Sequence, residues 1–354
     1  MVTTRMLKIS EARPNKRIIS KAAHIIRYGG TVIFPTETVY GLGANAFDES
    51  AVLKIFKAKS RPKDNPLIVH IADVGWLSRV VEEIPERFEP IFESVWPGPI
   101  TFVMRKSKSI PDCVTAGLNK VSVRIPSNRI ALSLIKASGV PIAAPSANMA
   151  TRPSPTKAQH IMEEMKGKVD MILDGGQSAY GIESTIVDIT SKVPTVLRPG
   201  PFTIDELRKI LGNVHYQKQN RSTGKPTAPG MKYKHYSPSK PLFLVEKSSM
   251  KKIIDFCVKE KIGVVAICSK ETSMEINYKN AIILGSESDM YQIARNLFDS
   301  FRKLDISDAE VGLIQSFEEN GVGAAVMNRI NKATGFSKVD ETDSFLSLFT
   351  KRRK

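Results

Sequence analysis

Thr31-Val32-Ile33-Phe34-Pro35-Thr36-Glu37-Thr38-Val39-Tyr40-Gly41-Leu42-Gly43 is the stretch on which the fold class turns. Residues 31–34 form a short apolar run after Gly29-Gly30, and Pro35 breaks further strand pairing. Thr36-Glu37-Thr38 follows at once. Polar residues just past a strand end are where α/β folds place ligand contacts. As ordinary turn residues they would only satisfy local hydrogen bonds. Tyr40-Gly41-Leu42-Gly43 adds backbone freedom and says little alone.

Outward from this stretch, strand-like and helix-like segments alternate. Asp48 is an N-cap for a helix with Val52, Ile55 and Phe56 on one face. Residues 67–71 read as a buried strand, and a helix around 88–95 stops at Trp96-Pro97-Gly98-Pro99. Strands are expected at 100–104, 121–125, 141–144, 169–173, 184–189 and 195–197. Helices are expected around 130–137 and 155–165, the second opened by the pair Ser154-Pro155. Thr203-Ile204-Asp205-Glu206 is a capping box, and Gly212 stops that helix. The first domain, residues 1–212, is therefore predicted as α/β, built on a twisted and largely mixed sheet.

The texture then changes. Residues 213–240 are polar and basic, carry Gly224, Pro226, Pro229, Gly230 and Pro238, and show no sustained period. A segment of this kind is a linker or a functional loop. Met231, Tyr233, His235 and Tyr236 argue for a lid that docks on a surface, because a passive tether needs only small polar residues. From 241 to 354 the alternation returns, with an apolar stripe of Met290, Ile293, Ala294, Leu297, Phe298, Phe301 and Leu304 at helical spacing. A smaller, Rossmann-like α/β domain is expected there.

The 354 residues are enough for two cores. No apolar run approaches the ~20 residues that span a bilayer, and Met1-Val2-Thr3-Thr4-Arg5-Met6 lacks a signal-peptide core. Cys113, Cys257 and Cys268 are far apart and read as small buried side chains, not a disulfide framework or a zinc site. A cytoplasmic location is the economical expectation. Net charge is +16, but dense basic runs occur only around Lys232–His235 and at the C-terminal end. Elsewhere Lys and Arg alternate with acids, which favours a solvated basic surface that attracts anionic substrates over a nucleic-acid face.

Two constellations carry the chemistry. Lys59 and Arg61 follow a helix, where the dipole alone would favour a cation. With Lys63 they set three cations within five residues, before a rigid Asp64-Asn65-Pro66 turn. An Arg fork beside a Lys point charge suits a polyphosphate. Ser146-Ala147-Asn148, after the apolar run 140–144, adds a hydroxyl and an amide. Lys59 and Arg61 are expected in an end-of-element pocket, outside the core. Arg124 stands inside Val121-Ser122-Val123-Arg124-Ile125, and an arginine in a strand must face solvent or an anion. Arg198, before Pro199-Gly200, poses the same question. No Gly-x-x-x-x-Gly-Lys-Ser/Thr loop, no Gly-x-Ser-x-Gly elbow and no metal-ligand spacing of the five histidines is present. No protein nucleophile stands out, so direct attack between bound substrates is expected.

These motifs resemble the threonylcarbamoyl-AMP synthase family, whose catalytic part is the YrdC-like domain. The matching segments are Pro35-Thr36-Glu37-Thr38-Val39-Tyr40-Gly41-Leu42, Lys59-x-Arg61-Pro62, Asn65-Pro66-Leu67, Trp96-Pro97-Gly98-Pro99, Pro145-Ser146-Ala147-Asn148 and Leu197-Arg198-Pro199-Gly200. The resemblance covers about residues 15–212. The segment 228–238 and the second domain resemble the long, two-domain branch. The resemblance implies a nucleotidyltransferase that condenses L-threonine, bicarbonate or CO2 and ATP to threonylcarbamoyl-AMP and pyrophosphate. A downstream threonylcarbamoyl transferase complex then completes the tRNA threonylcarbamoyladenosine (t6A) modification. It further implies Mg2+ carried by the ATP phosphates, no direct binding of tRNA and no membrane association. Lys59, Arg61, Ser146, Asn148, Ser154, Arg198 and Tyr236 would hold ATP. Thr36, His70, Thr115, Arg124, Ala144 and Ser184 would hold threonine, with Arg124 on its carboxylate.

Two other readings compete. A non-catalytic RNA-binding module fits the charge but lacks aromatic stacking platforms. A carbamoyl-adenylate enzyme of hydrogenase maturation would need zinc-finger and acylphosphatase-like segments that this chain lacks.

Overall fold

The computed structural model describes residues 2–216 and 236–353. They form two compact units. Residues 2–150 and 154–216 make the first; residues 151–153 and 236–353 make the second. Residues 213–216 and 236–240, expected in the linker, fall in the first and second units, and one further segment crosses the expected boundary. Residues 151–153 pack with the second unit: Ser237 N donates to Thr151 O (3.0 Å), Arg152 pairs with Asp305 (3.3 Å), and Arg302 donates to Pro153 O (2.6 Å).

In chain order the first unit contains β1 (Arg5–Lys8), α1 (Lys16–Arg27), β2 (Val32–Phe34), β3 (Gly41–Asn45), α2 (Glu49–Lys59), β4 (Ile68–His70), α3 (Glu89–Val95), β5 (Ile100–Arg105) and α4 (Asp112–Thr115). It continues with β6 (Lys120–Arg124), α5 (Arg129–Ser138), β7 (Ile142–Ala144), α6 (Gln159–Met165), β8 (Met171–Asp174), β9 (Thr185–Asp188), β10 (Thr195–Arg198), α7 (Ile204–Leu211) and β11 (His215–Tyr216). The strands make one mixed sheet in the order β1-β8-β2-β3-β7-β4-β6-β5-β9-β10-β11.

Local chemistry explains most boundaries. Asp48 caps α2 by accepting from Ala51 N (3.1 Å). Thr203 and Glu206 complete the reciprocal box that starts α7, and Gly212 ends it at φ 71°. Ser154-Pro155 does not open a helix. The Ser154 hydroxyl instead donates to Glu183 Oε1 (2.6 Å), and α6 begins four residues later than read, at Gln159, with no side-chain cap.

Strand alternation sorts side chains onto the two faces. Ile33, Leu42, Val69, Val123 and Ile172 join the larger core cluster, which also takes α2 and α3 residues such as Val52, Ile55, Phe56 and Phe92. Val32, Phe34, Ile142, Ala144, Met171 and Leu173 pack against α1 and α5 on the other face. Each large apolar side chain fully buried in this way contributes ~1.5–3 kcal/mol. Further along that second face the apolar content thins to Val103 and Ile186, with Leu197 against them. Thr101, Ser122, Arg124 and Ser184 take the neighbouring positions. This polar stretch of an otherwise apolar sheet is where the site lies.

The second unit contains β12 (Leu242–Val245), α8 (Lys247–Lys259), β13 (Val264–Cys268), α9 (Lys270–Ile276), β14 (Ala281–Ile283), α10 (Met290–Ile306), β15 (Val311–Gln315), α11 (Gly323–Thr334), β16 (Lys338–Val339) and α12 (Thr342–Arg353). Its strands pair in parallel in the order β14-β13-β15-β12-β16. Parallel strands with helices between them match the expected Rossmann-like α/β alternation, although β15 stands between β12 and β13, which the usual doubly wound order leaves adjacent. The stripe from Met290 to Leu304 is the buried face of α10. Of the expected linker 213–240, residues 217–235 lie outside the described residues, so the docking lid with Met231, Tyr233 and His235 falls there.

Candidate active site

The first unit gathers its polar side chains into two clusters. One surrounds Lys59, the last residue of α2. Its stripe partners Val52, Ile55 and Phe56 carry Lys59 inward with them, because position 59 repeats the same helical spacing. Lys59 is 1% exposed. Its ammonium donates to Ser146 O (2.5 Å) and to Asn148 O. Burial holds its pKa well below the usual lysine range; Arg61 lowers it further, and Glu164 opposes. The expectation of a lysine outside the core is thus corrected. Tertiary packing turns the C-terminal end of α2 under the 145–148 turn, and the two carbonyls replace water around the charge.

The turn itself is fastened by backbone bonds. Leu42 N donates to Pro145 O (3.0 Å), and Ala147 N donates to Tyr40 O (2.8 Å). Ser146 Oγ donates to Asn148 Oδ1 (2.5 Å), and Met149 N donates to Glu164 on α6 (2.7 Å). Arg61 is half-buried. It curls over the Asp64-Asn65-Pro66 turn, donating to Asn65 O (3.3 Å) and Pro66 O (3.0 Å). Ser60, left-handed at φ 50°, ends α2 and lets the chain reverse there. Ala144 closes β7 beside Ile68. Thr115 ends α4 and is 1% exposed, with its hydroxyl unpartnered. Leu67 N donates to Val114 O (2.8 Å), so Thr115 stands at the start of β4. The resemblance expects Thr115 on threonine, and its unpartnered hydroxyl is open to that role. Asn65, 1% exposed with an unpartnered Oδ1, was singled out only as part of a motif.

The other cluster centres on Arg124, which is 3% exposed. Parallel pairing sets Arg124 level with His70, whereas Ala144 lies level with Ile68, so the clusters occupy opposite ends of these short strands. Arg124 Nη2 donates to Glu37 Oε1 (2.6 Å), Nη1 to Thr38 Oγ1 (2.8 Å) and Nε to Gly98 O (3.3 Å). Thr36 Oγ1 lies 2.8 Å from Thr38 Oγ1 and donates to Val39 O (2.6 Å). His70 is buried, its Nδ1 has no partner, and its pKa falls to about 3 through burial and then Arg124. It is a neutral imidazole. Ser184, fully buried, meets Thr101 Oγ1 (2.8 Å). Arg198 donates from Nε (3.1 Å) and Nη2 (2.9 Å) to Ser184 O, and from Nη2 to the Ser184 hydroxyl (3.2 Å). Arg198, expected with the phosphates, therefore stands on the Ser184 side, as does Ser154 through Glu183. Segment 35–40 ties the clusters together, since Glu37 and Thr38 reach Arg124 while Tyr40 O holds Ala147.

Tyr236 belongs to the second unit. It is 5% exposed, with its ring 5.2 Å from that of Phe298. Glu37 is the residue whose part the sequence reading missed. Its signal was a lone carboxylate between two threonines just past a strand end.

A buried cation beside hydroxyls and amides is suited to phosphate oxygens, and a buried guanidinium with a neutral imidazole to a carboxylate-bearing small molecule. Comparison with known proteins identifies the family. The family model described as telomere recombination (Sua5/YciO/YrdC) matches residues 24–200, and that of the threonylcarbamoyl-AMP synthase C-terminal domain matches residues 202–335. The threonylcarbamoyl-AMP synthase of Pyrococcus abyssi is 46% identical over 325 residues, 89% of this chain and 93% of the relative. That of Bacillus subtilis is 39% identical over 333 residues, 92% of this chain and 95% of the relative. The crystal structure of P. abyssi Sua5 complexed with L-threonine superposes with a TM-score of 0.88 at 41% identity, covering 96% of this chain and 99% of that one. The chain belongs to the threonylcarbamoyl-AMP synthase family, in the form that carries both domains.

Proposed function

We propose that the protein is an L-threonylcarbamoyladenylate synthase, a nucleotidyltransferase that condenses L-threonine, bicarbonate and ATP to threonylcarbamoyl-AMP, pyrophosphate and water. One observation carries the reading: a single unit buries a lysine ammonium under Ser146 and Asn148 and an arginine guanidinium beside His70, linked by segment 35–40. In this reading Lys59, Arg61, Ser146 and Asn148 hold the nucleotide phosphates, with Asn65 offering an unpartnered oxygen from the turn that Arg61 curls over. Arg124 takes the threonine carboxylate; Thr36, His70 and Ser184 border the remainder. Ser154 and Arg198 occupy the junction toward the nucleotide. Neutral His70 adds no charge that would repel the substrate ammonium.

The substrate ammonium first gives one proton to the hydroxide that bicarbonate loses, which leaves as water; the free amine then bonds to the carbon of the CO2 so formed and loses a second proton. A carbamate oxygen then attacks the α-phosphorus, and pyrophosphate leaves. The clusters bring the two substrates together and supply charge where phosphate oxygens gain it. Among the described residues no group of three or more His, Cys, Asp or Glu gathers as a metal site. In this proposal Mg2+ would enter with ATP and share the neutralisation of its phosphates with Lys59 and Arg61. The product is handed to a threonylcarbamoyl transferase complex for t6A formation, without tRNA binding here. Among the described residues no helix is long and apolar enough to cross a membrane.

Pyrophosphate release from labelled ATP tests the proposal. The expected result is release only when threonine and bicarbonate are both present. Release that ignores threonine would remove it.

A further inference from the structure

The Glu37–Arg124 pair has unused capacity on both partners. The side chains are 6% and 3% exposed, and the pair is 2.6 Å long. Only Glu37 Oε1 is engaged; Oε2 is buried with no partner. Arg124 uses one hydrogen on each of its three nitrogens, for Gly98 O, Thr38 Oγ1 and Glu37 Oε1. Each terminal nitrogen carries a second hydrogen, so one N–H on Nη1 and one on Nη2 remain for a ligand. A buried carboxylate oxygen left unmatched is costly. A purely structural ion pair would be expected to close both oxygens.

We infer that Glu37 Oε2 receives the ammonium of the substrate amino acid, so that Glu37 and Arg124 together form a receptor for a zwitterion. The inference rests on threonine being the substrate. The pair is neutral overall, as is the zwitterion. Two spare guanidinium donors face a carboxylate and one spare carboxylate oxygen faces an ammonium. His70, held neutral on the neighbouring strand, disturbs neither. Glu37 is then a specificity-determining residue: it selects α-amino acids over hydroxy acids or simple acids of the same shape. It also holds the nitrogen that must later bond to carbon. Tyr180 N donates to Glu37 O (2.8 Å), which fixes the residue's backbone independently of its carboxylate.

The test is a competition between two ligands and two proteins. L-Threonine and 3-hydroxybutyrate share the carboxylate and the hydroxyl, and only threonine has the amine. Each competes against labelled threonine on the full-length wild type and on Glu37→Gln, with ATP affinity as the control for an intact nucleotide site. Loss of one charge-assisted contact is expected to weaken threonine by about 10- to 100-fold in the variant, with 3-hydroxybutyrate changed by less than about threefold. Equal weakening of both ligands would show that Glu37 merely positions Arg124, and unchanged threonine affinity would remove Glu37 altogether. Either overturns the inference while leaving the proposed reaction standing. A wild type that binds ATP but not threonine overturns the reaction, and this inference with it. Should Glu37→Gln not fold, Glu37→Asp keeps the charge on Arg124 and retracts the oxygen by one methylene. Threonine selectively weakened relative to 3-hydroxybutyrate is again the supporting result, and a parallel loss the opposing one.

Discussion

Lys59 and His70 show what burial does to a titratable side chain. The Lys59 ammonium exchanges water for two carbonyls, Ser146 O and Asn148 O, and the exchange is incomplete, so its pKa falls. Lys59→Met keeps the packed stem and removes the desolvated charge. It is expected to leave the thermal midpoint near that of the wild type while abolishing ATP binding by calorimetry. Lys59→Ala also empties the site, and should cost about 2–4 kcal/mol in urea unfolding besides losing ATP. A Met variant that still binds ATP normally would dissociate Lys59 from the phosphates. For His70 the sign is set by a folded pKa of about 3 against an ordinary value of 6.5. Above 6.5 both folded and unfolded chains hold a neutral ring, and His70 contributes no slope. Below 6.5 only the unfolded chain takes the proton, so stability falls as pH falls, by about 1.4 kcal/mol per unit at most, until the folded ring titrates near 3. Unfolding measured from pH 7.5 to 4.5 should show wild type losing more stability than His70→Gln. Parallel curves would show the imidazole to be hydrated. Lys59 illustrates a signal present in the sequence and easily misread: positions 52, 55, 56 and 59 share one helical stripe.

At the scale of elements, the site depends on register. β4 is three residues long, yet it pairs with β6 and β7, and only this alignment sets His70 beside Arg124. A slip of β4 by one residue would turn His70 to the opposite face, away from Arg124. The junction of β9 and β10 is similarly narrow. A Cβ on Gly200 would lie 2.3 Å from Thr185 N, 2.6 Å from Ser184 C and 2.8 Å from Glu183 O. These are backbone atoms that cannot swing aside. Gly200→Ala is therefore expected to push residues 183–185 away from Arg198, costing about 1–3 kcal/mol in urea unfolding. Threonine affinity should weaken in parallel, since Ser184 moves with its strand. Wild-type stability and affinity in this variant would mean that the junction yields freely.

At the scale of the molecule, each unit has its own core. Both large clusters of the first unit draw only on residues up to Tyr216, and the cluster around Phe243, Ile253, Leu313 and Phe345 belongs to the second. A fragment of residues 1–216 is accordingly expected to fold alone, with a single cooperative urea transition and near-ultraviolet dichroism from its packed aromatics. A non-cooperative melt would mean that the first core is incomplete without the second unit. The charge of +16 predisposes the surface to anions, but neither cluster could be inferred from it.

Local rules settled what depends on near neighbours. The capping box at Thr203–Glu206, the cap at Asp48, the buried strands and the stripe of α10 each follow from contacts within a few residues, so composition and period reveal them. The family motifs likewise marked Lys59, Arg61 and Ser146, and a charge inside a strand marked Arg124, because residue types are written in the chain. Packing across the sheet settled the rest. Ser154 turned from cap to partner of Glu183, residues 151–153 joined the other unit, and Arg198 came to rest on Ser184. Glu37 gained its meaning from Arg124, 87 positions away. A side chain's partner depends on strand order and register. Those are fixed by how distant segments bury their apolar faces together, a balance that no short stretch of residues contains.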